Sequence, residues 1–511
     1  MAIDPTPARP AALPAPPHHE YIDIRADELV SRFTALRDQG YRLALAAAHD
    51  DGTALRVVYL LVAPAPDRRV ELVIRLDPND PQLPTLARHS FPAGRFEREM
   101  QDLFGIQVFD HPFPHRLVLH QHWPEGWYPM RQGALPTPSM LDTGEPYPFL
   151  TVEGPGVYEI PVGPVHAGLI EPGHFRFSVL GETILNMKAR LWFVHKGIER
   201  LFQTRTALAG VELAERISGD TAVGHNLAYC LAVEEALRCQ VPLAGQLLRA
   251  VLLELERLYN HTNDIGALCN DVAYSIIYSH ALRIREQLLR LNQRVTGHRL
   301  LRGAIVPGGT SVHTLPTIGE LEHIVDDATE ISQLALENST VVDRFTRTAV
   351  LDHQTATDLG TLGPVARASG IDIDARRDHP FVTLGHALRT QLRDEGDVMA
   401  RFAIRVQEID ASLSLLRSLL EQLDQLRDAP TLARIEPPTN TRSGVGIAEA
   451  WRGTIVHRIE LAADGTLTRV KVVDPSFFNW PALSPSLHDT IVPDFPLANK
   501  SFNLSYAGND L

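Results

Sequence analysis

Residues 163–177 read GPVHAGLIEPGHFRF, and the chain changes character on either side of them. Upstream, residues 132–156 are rich in Pro and Gly and read as a linker. Before that linker, residues 54–63 form an apolar, β-branched run, and Val70, Leu72, Ile74 and Leu76 alternate with Glu71, Val73 and Arg75 at the period of a strand. Asp27 stands as an N-cap ahead of Leu29, Phe33 and Leu36 at helical spacing, with Gly40 placed to end that helix. Residues 21–131 therefore read as a small α/β domain. Residues 1–20, rich in Pro and Ala without periodicity, read as a disordered tail.

Downstream the pattern is mainly helical, and residues 157–511 form the second, larger domain of an α+β multidomain chain. Val223, Leu227, Cys230, Leu231 and Leu237 share one helix face, as do Leu248, Val251, Leu252, Leu255 and Leu258. Phe402, Val406, Ile409, Leu413, Leu416, Leu420 and Leu423 step alternately by four and three, the seam of a long packed helix. Near the C-terminus, residues 455–461 and 467–473 read as two strands joined by an Asp464–Gly465 turn.

The opening loop is chemically loaded, with His166, Glu171, His174 and Arg176 drawn together by residues that turn the backbone. Taken alone, it reads as a polar surface turn rather than a site. His111, His115, His120 and His122 have spacings that let imidazoles converge on zinc, but no thiolate accompanies them, and a solvated loop is the simpler reading. Neither a phosphate-binding glycine loop nor a serine nucleophile elbow is present.

Composition narrows the classes further. The chain has 511 residues and a formal charge of −14, which argues against nucleic acid as a partner. Its three cysteines, Cys230, Cys239 and Cys269, form no CxxC pair, exclude a disulfide framework and cannot supply a four-Cys iron–sulfur site. No apolar run is long enough to span a bilayer, and the N-terminus lacks the basic start and apolar stretch of a signal peptide. A cytoplasmic chain that meets the membrane only through partners is expected.

Longer motifs carry a family resemblance. Glu97–Arg116, EREMQDLFGIQVFDHPFPHR, resembles the signature of the C subunit of respiratory complex I and of the matching domain of formate-hydrogenlyase hydrogenases. The rest is similar to the complex I D subunit and to the large subunit of membrane-bound group 4 nickel–iron hydrogenases. That similarity rests on GPVHAGLIEPGHFRF, FVHKGIER, ERISGDTAVGHNLAYCLAVE, RASGIDIDARRDHP, EAWRG, RVKVVDPSFFNW and VPDFPLANKSFNLSYAGNDL. Both modules in one polypeptide is a trait of the formate-hydrogenlyase type.

The resemblance implies a nickel–iron centre held by four thiolates, from an RxCGxC and a DPCxxC segment. Here the matching positions carry Ser218, Thr221, Ser505 and Gly508, so this chain is expected to bind no metal. The quinone-gripping tyrosine of complex I falls on Gly219. His166 matches the leading loop histidine, Glu171 a loop acid of group 4 members, and Arg452 the arginine that overhangs the hydrogenase cavity. With Arg216 and Asp220, these are the candidate catalytic residues. The family implies a small iron–sulfur subunit as electron donor, antiporter-like membrane subunits, and quinone as a possible acceptor. It leaves three functions open: an oxidoreductase subunit that links electron transfer to ion translocation without nickel, a non-catalytic scaffold, or an active hydrogenase.

Overall fold

A computed structural model describes residues 11–64, 66–134, 136–141, 147–167, 170–385 and 388–511. In the N-terminal unit, β1 (His18–Asp23), β2 (Arg42–Asp50), β3 (Leu55–Ala63) and β4 (Arg68–Leu76) form one sheet in the order β1-β4-β3-β2, with β1 parallel to β4 and the other pairs antiparallel. Helices α1 (Leu29–Asp38) and α2 (Phe91–Phe104) belong to this unit, as do the short strands β5 (Gln82–Pro84) and β6 (Gln107–Phe109). The α2 N-terminus is capped by Ser90, whose hydroxyl accepts from the Ala93 amide, with Pro92 just inside the first turn.

The structure corrects two expectations and adds a strand. Ordered structure begins before Tyr21: β1 starts at His18, the Ala11 amide donates to Gln422 Oε1, and Ala12 pairs with Thr383, so residues 11–20 take their order from the larger unit and from β4. The first ten residues of the expected tail lie outside the described residues. Asp27 is not the N-cap, because a 3-10 turn over Ala26–Glu28 precedes α1 and the Asp27 carboxylate pairs with Arg25. Strand β2 escaped the pattern because both its faces are buried, which removes the polar–apolar alternation.

The larger unit opens with the antiparallel sheet β7 (Val157–Val162), β8 (His174–Leu180) and β9 (Thr183–Arg190). Two short helices, α3 (Ile198–Phe202) and α4 (Ala207–Ala214), lead to α5 (Ala222–Leu237), α6 (Leu243–Asp271) and α7 (Ser275–Thr296). The bridge pair β10 (Ile305–Val306) and β11 (Gly309–Thr310) precedes α8 (Ile318–Glu337), α9 (Ser339–Phe345), α10 (His353–Leu359), α11 (Gly363–Ala368), α12 (Ala375–Asp378) and α13 (Val398–Gln425). A second antiparallel sheet, β12 (Arg442–Ala450), β13 (Gly453–Leu461) and β14 (Leu467–Val473), is followed by α14 (Pro475–Ser486), α15 (Phe495–Phe502) and α16 (Tyr506–Asp510).

The β12–β14 sheet lies directly against α5. A Cβ at Gly446 would stand 1.8 Å from the Ala228 carbonyl oxygen, so strand and helix approach at backbone level and only glycine fits. Helix α13 buries Phe402, Ile409, Leu416 and Leu423 from the expected seam, while Val406, Leu413 and Leu420 are only half-buried. Its second buried row is Arg401, Arg405, Glu408 and Ser412, which a hydrophobic pattern does not reveal.

Candidate functional site

Four segment ends meet beside α5. The loop before α5 supplies Ser218, Asp220 and Thr221; the β12–β13 turn supplies Trp451 and Arg452; Asp474 caps α14 and Ser505 caps α16. Arg452 grips Asp220 with both terminal nitrogens, at 2.6 and 2.7 Å, and lies over the Trp451 ring at 3.9 Å. Its Nε donates to the Asn503 carbonyl and its Nη1 also reaches Thr221 Oγ1 at 3.1 Å.

The hydroxyls close on one another. Ser218 Oγ donates to Asp220 Oδ1 at 2.9 Å and lies 2.8 Å from Ser505 Oγ. With its proton on Asp220, Ser218 must accept from Ser505, and Ser505 in turn accepts from the Gly508 amide at 2.9 Å. Thr221 Oγ1 donates to Asp220 Oδ1 at 3.0 Å and accepts from the Trp451 indole at 3.2 Å. Every hydroxyl proton is thus committed.

Burial by itself would raise the Asp220 carboxyl, but the adjoining Arg452 guanidinium and the two hydroxyl donors outweigh it and hold the group at about 2. Asp220 is therefore an anion at neutral pH and an ion-pair partner, not a proton donor. Its side chain is 38% exposed while that of Arg452 is 6% exposed, so the cluster opens to solvent on the Asp220 side.

Sequence reasoning missed the layer beneath. His225 Nε2 lies 2.9 Å from Asp474 Oδ2, and its Nδ1 lies 3.1 Å from His457 Nε2, all three side chains being buried. Asp474 also accepts from the Ser476 amide, and Ser476 Oγ accepts from the Ser505 amide. Burial would raise Asp474, but His225 and then Arg452 pull it below the usual carboxylate range. A Cβ at Gly508 would meet the Asp474 carboxyl at 2.6 Å, so the aspartate occupies the space a side chain there would need. Both residues lie within the family motifs, but His225 reads as one position of an apolar helix face and Asp474 as a cap. Asp510, also missed, is raised to about 6 by burial and accepts from the Val194 amide.

Ser218, Asp220, Thr221, Arg452, Ser505 and Gly508 are thus brought together as expected. Glu171 reaches the edge of the site, where its Oε2 accepts from the Ala507 amide of α16. His166 closes its own loop on the Gly173 carbonyl at 2.8 Å, and among the described residues no hydrogen bond joins it to the cluster. Arg216 does not join it either, because its guanidinium, 48% exposed, turns back onto Glu212. The four histidines of the expected zinc alternative do not converge: His111, His120 and His122 face the Gly94, Leu191 and Leu141 carbonyls, and the described residues contain no metal-ligand cluster.

Residues 271–443 match the family described as respiratory-chain NADH dehydrogenase, 49 Kd subunit, and residues 22–137 that of the 30 Kd subunit. Over 448 residues the chain is 31% identical to formate hydrogenlyase subunit 5 of Escherichia coli (strain K12), covering 86% of this chain and 78% of that one. The chain belongs to this family of fused complex I C/D-type and hydrogenase large-subunit-like proteins. The C/D subunit of NADH-quinone oxidoreductase from Bacteroides fragilis shares the two-module layout, with 25% identity over 83% of this chain and 84% of that one. A chain of the membrane-bound sulfane sulfur reductase, an archaeal respiratory membrane complex, superposes with a TM-score of 0.63 at 22% identity, over 70% of this chain and 99% of that one, which shows a shared fold. Among the described residues no helix is long and apolar enough to cross a membrane.

For the nickel–iron centre that the sequence resemblance implies, the donor set decides whether a metal fits. Soft metals need thiolates. Cys230 is buried on α5 and donates to Asn226, Cys269 is buried on α6, and Cys239 follows α5, so none reaches the cluster. The groups that do converge are three committed hydroxyls, an ion pair and a glycine backed by a carboxylate. They do not fit a nickel–iron centre.

Proposed function

We propose that this protein is a peripheral, cytoplasmic-face subunit of a membrane-bound oxidoreductase complex that couples electron transfer to ion translocation, and that its central cluster carries no nickel–iron centre. One observation carries the reading: the four positions matching metal ligands hold Ser218, Thr221, Ser505 and Gly508, and the Ser218 hydroxyl is hydrogen-bonded to Ser505 while Ser218 and Thr221 bind the Asp220–Arg452 pair. Formate hydrogenlyase, hydrogenase and NADH-quinone oxidoreductase subunits among the relatives support the setting. The partners in this reading are a small iron–sulfur subunit that delivers electrons and antiporter-like membrane subunits.

Within that setting a scaffold role is favoured over a reaction at the cluster. Asp220 is held as an anion, and the hydroxyls have no free proton to give, so the cluster itself offers no general acid. Quinone reduction at the rim, with His166 or Glu171 as proton donor, is the competing role.

The test uses the complex purified with its partners. Elemental analysis is expected to find no stoichiometric nickel, and stoichiometric nickel would overturn the metal assignment. Hydrogen- and quinone-linked electron transfer are then compared with Arg452→Ala and Asp220→Ala. Unchanged rates in an intact assembly support the scaffold; saturable quinone reduction abolished by either change, with assembly intact, rejects it.

A further inference from the structure

The N-terminal segment, residues 11–23, runs across the seam between the two units. It is tied at one end to α13 through Gln422 and to Thr383, and at the other it is the edge strand β1, parallel to β4. Residues 13–17 wall a groove of about 690 Å³ whose other side is formed by the C-terminal end of α5 and by residues 379–381. The segment makes few apolar contacts for its length, since Leu13 and Tyr21 are exposed and β1 buries none of its residues fully. Beside the β1–β4 ladder and the backbone ties at Ala11 and Ala12, charge fastens it.

His19, on β1, points into the seam with its side chain 9% exposed. Its Nδ1 lies 2.7 Å from Glu235 Oε1 on α5, and its Nε2 lies 3.4 Å from Glu71 Oε1 on β4. Tyr21 stacks on the ring at 4.5 Å. Around it, Glu71 is held by Arg458 of β13, Glu235 by Arg69 of β4, and Asp67, just before β4, by Arg69 and His379. Arg458 also binds Glu460, whose second partner is Arg56. Arg56 is shared between Glu460 and Asp51, and His49 also lies against Glu460, so the seam sets five carboxylates, Asp51, Asp67, Glu71, Glu235 and Glu460, against three guanidiniums, Arg56, Arg69 and Arg458. A charged His19 offsets part of that negative excess where Glu71 and Glu235 meet.

We propose that His19 is a proton-operated latch: protonated, it fastens the 11–23 strap across the seam between the units, and deprotonated, it lets the strap lift and the groove open. Burial alone would lower the His19 pKa, but hydrogen bonding and attraction from Glu235 and Glu71 raise it above the ordinary histidine value. A raised histidine stabilises fully below about 6.5 and loses that contribution as pH climbs through the folded value. The strap is therefore shut below the ordinary histidine value and loosens as pH rises past the raised one. His379, by contrast, is lowered chiefly by burial, so it is not the group that titrates here.

Hydrogen exchange and limited proteolysis of the full chain between pH 6 and 9 test this, with exchange corrected for its intrinsic pH dependence. Protection of the 18–23 amides should fall about tenfold or more across that range, with α13 amides as an unmoved reference. His19→Gln should show the open, fast-exchanging strap at every pH, and His19→Lys, a fixed cation over this range, should keep it shut to pH 9. Glu235→Gln should shift release to lower pH. Wild-type protection that is flat from pH 6 to 9, or a His19→Gln profile that coincides with wild type while α13 stays protected, would overturn the latch.

Discussion

Arg367 and Arg452 are both guanidiniums buried in the larger unit and both grip carboxylates, yet their surroundings differ. Arg367, on α11, binds Glu408 of α13 with two nitrogens, Glu449 of β12 at 2.9 Å and the Ile373 carbonyl, and each side chain of that assembly is at most 2% exposed. Arg257, Arg376, Glu254 and His261 extend it, joining α6, α12 and α13. Arg452 sits where loops and element ends meet, and its carboxylate partner opens to solvent. The first assembly is sealed by regular structure and staples helices to a sheet. The second is set on turns and element ends, and its carboxylate faces solvent. A buried ion pair does not by itself mark a site; the second differs from the first in being left open at one end, on loops rather than on packed helices.

The sealed assembly should give the largest effect. Arg367→Ala leaves buried Glu449 without its guanidinium and Glu408 with only His261 and Arg257, and breaking such a set from one side costs about 3–5 kcal/mol. Denaturant unfolding should show that loss, with many preparations failing to fold. A variant as stable as wild type would erase the distinction between the two regions. Gly508→Ala comes next. Its Cβ would press on the Asp474 carboxyl at 2.6 Å, and Asp474 cannot swing away without losing His225 and the Ser476 amide. Overpacking of this kind costs about 1–3 kcal/mol. Gly508→Ala paired with Asp474→Ala should recover part of the loss in a double-mutant cycle if the clash is the cause.

The two regions also differ in how far the sequence declares them. The family motifs single out Ser218, Thr221, Ser505 and Gly508, and the structure brings these four positions together. The motifs also offer Arg216, which Glu212, one helical turn back, holds away from the cluster. They also passed over Asp474 and His225, which meet only when α5 and α14 pack together. Long apolar periodicities found α5, α6 and α13, and the Asp-Gly signal found the β13–β14 hairpin. The same reading missed β2 and β12, which are buried on both faces and so carry no alternation, and it missed the charged row of α13 whose partners lie on α6, α11 and α15. Charge pairing over such separations has no local signature.

The smallest expected effect is at Ser218, and it sharpens the contrast most. Ser218→Ala removes one hydrogen bond to Asp220 Oδ1 and the acceptor that Ser505 uses, but Asp220 keeps Arg452 and Thr221, and Ser505 keeps the Gly508 amide. A loss of about 0.5–1.5 kcal/mol is expected near neutral pH. The acid limb carries more information. Because Asp220 is held at about 2, below the ordinary aspartate value near 3.9, its contribution is present above pH 4 and is lost as pH falls towards 2. Taking away a donor that favours the carboxylate raises its folded value, so the loss in Ser218→Ala should begin at higher pH than in wild type. Melting temperatures measured from pH 5 to pH 2 would show the two curves separating on the acid side. Curves that run parallel throughout would mean that Ser218 does not hold the carboxylate, and the hydroxyl cluster would then be packing around an ion pair that stands without it.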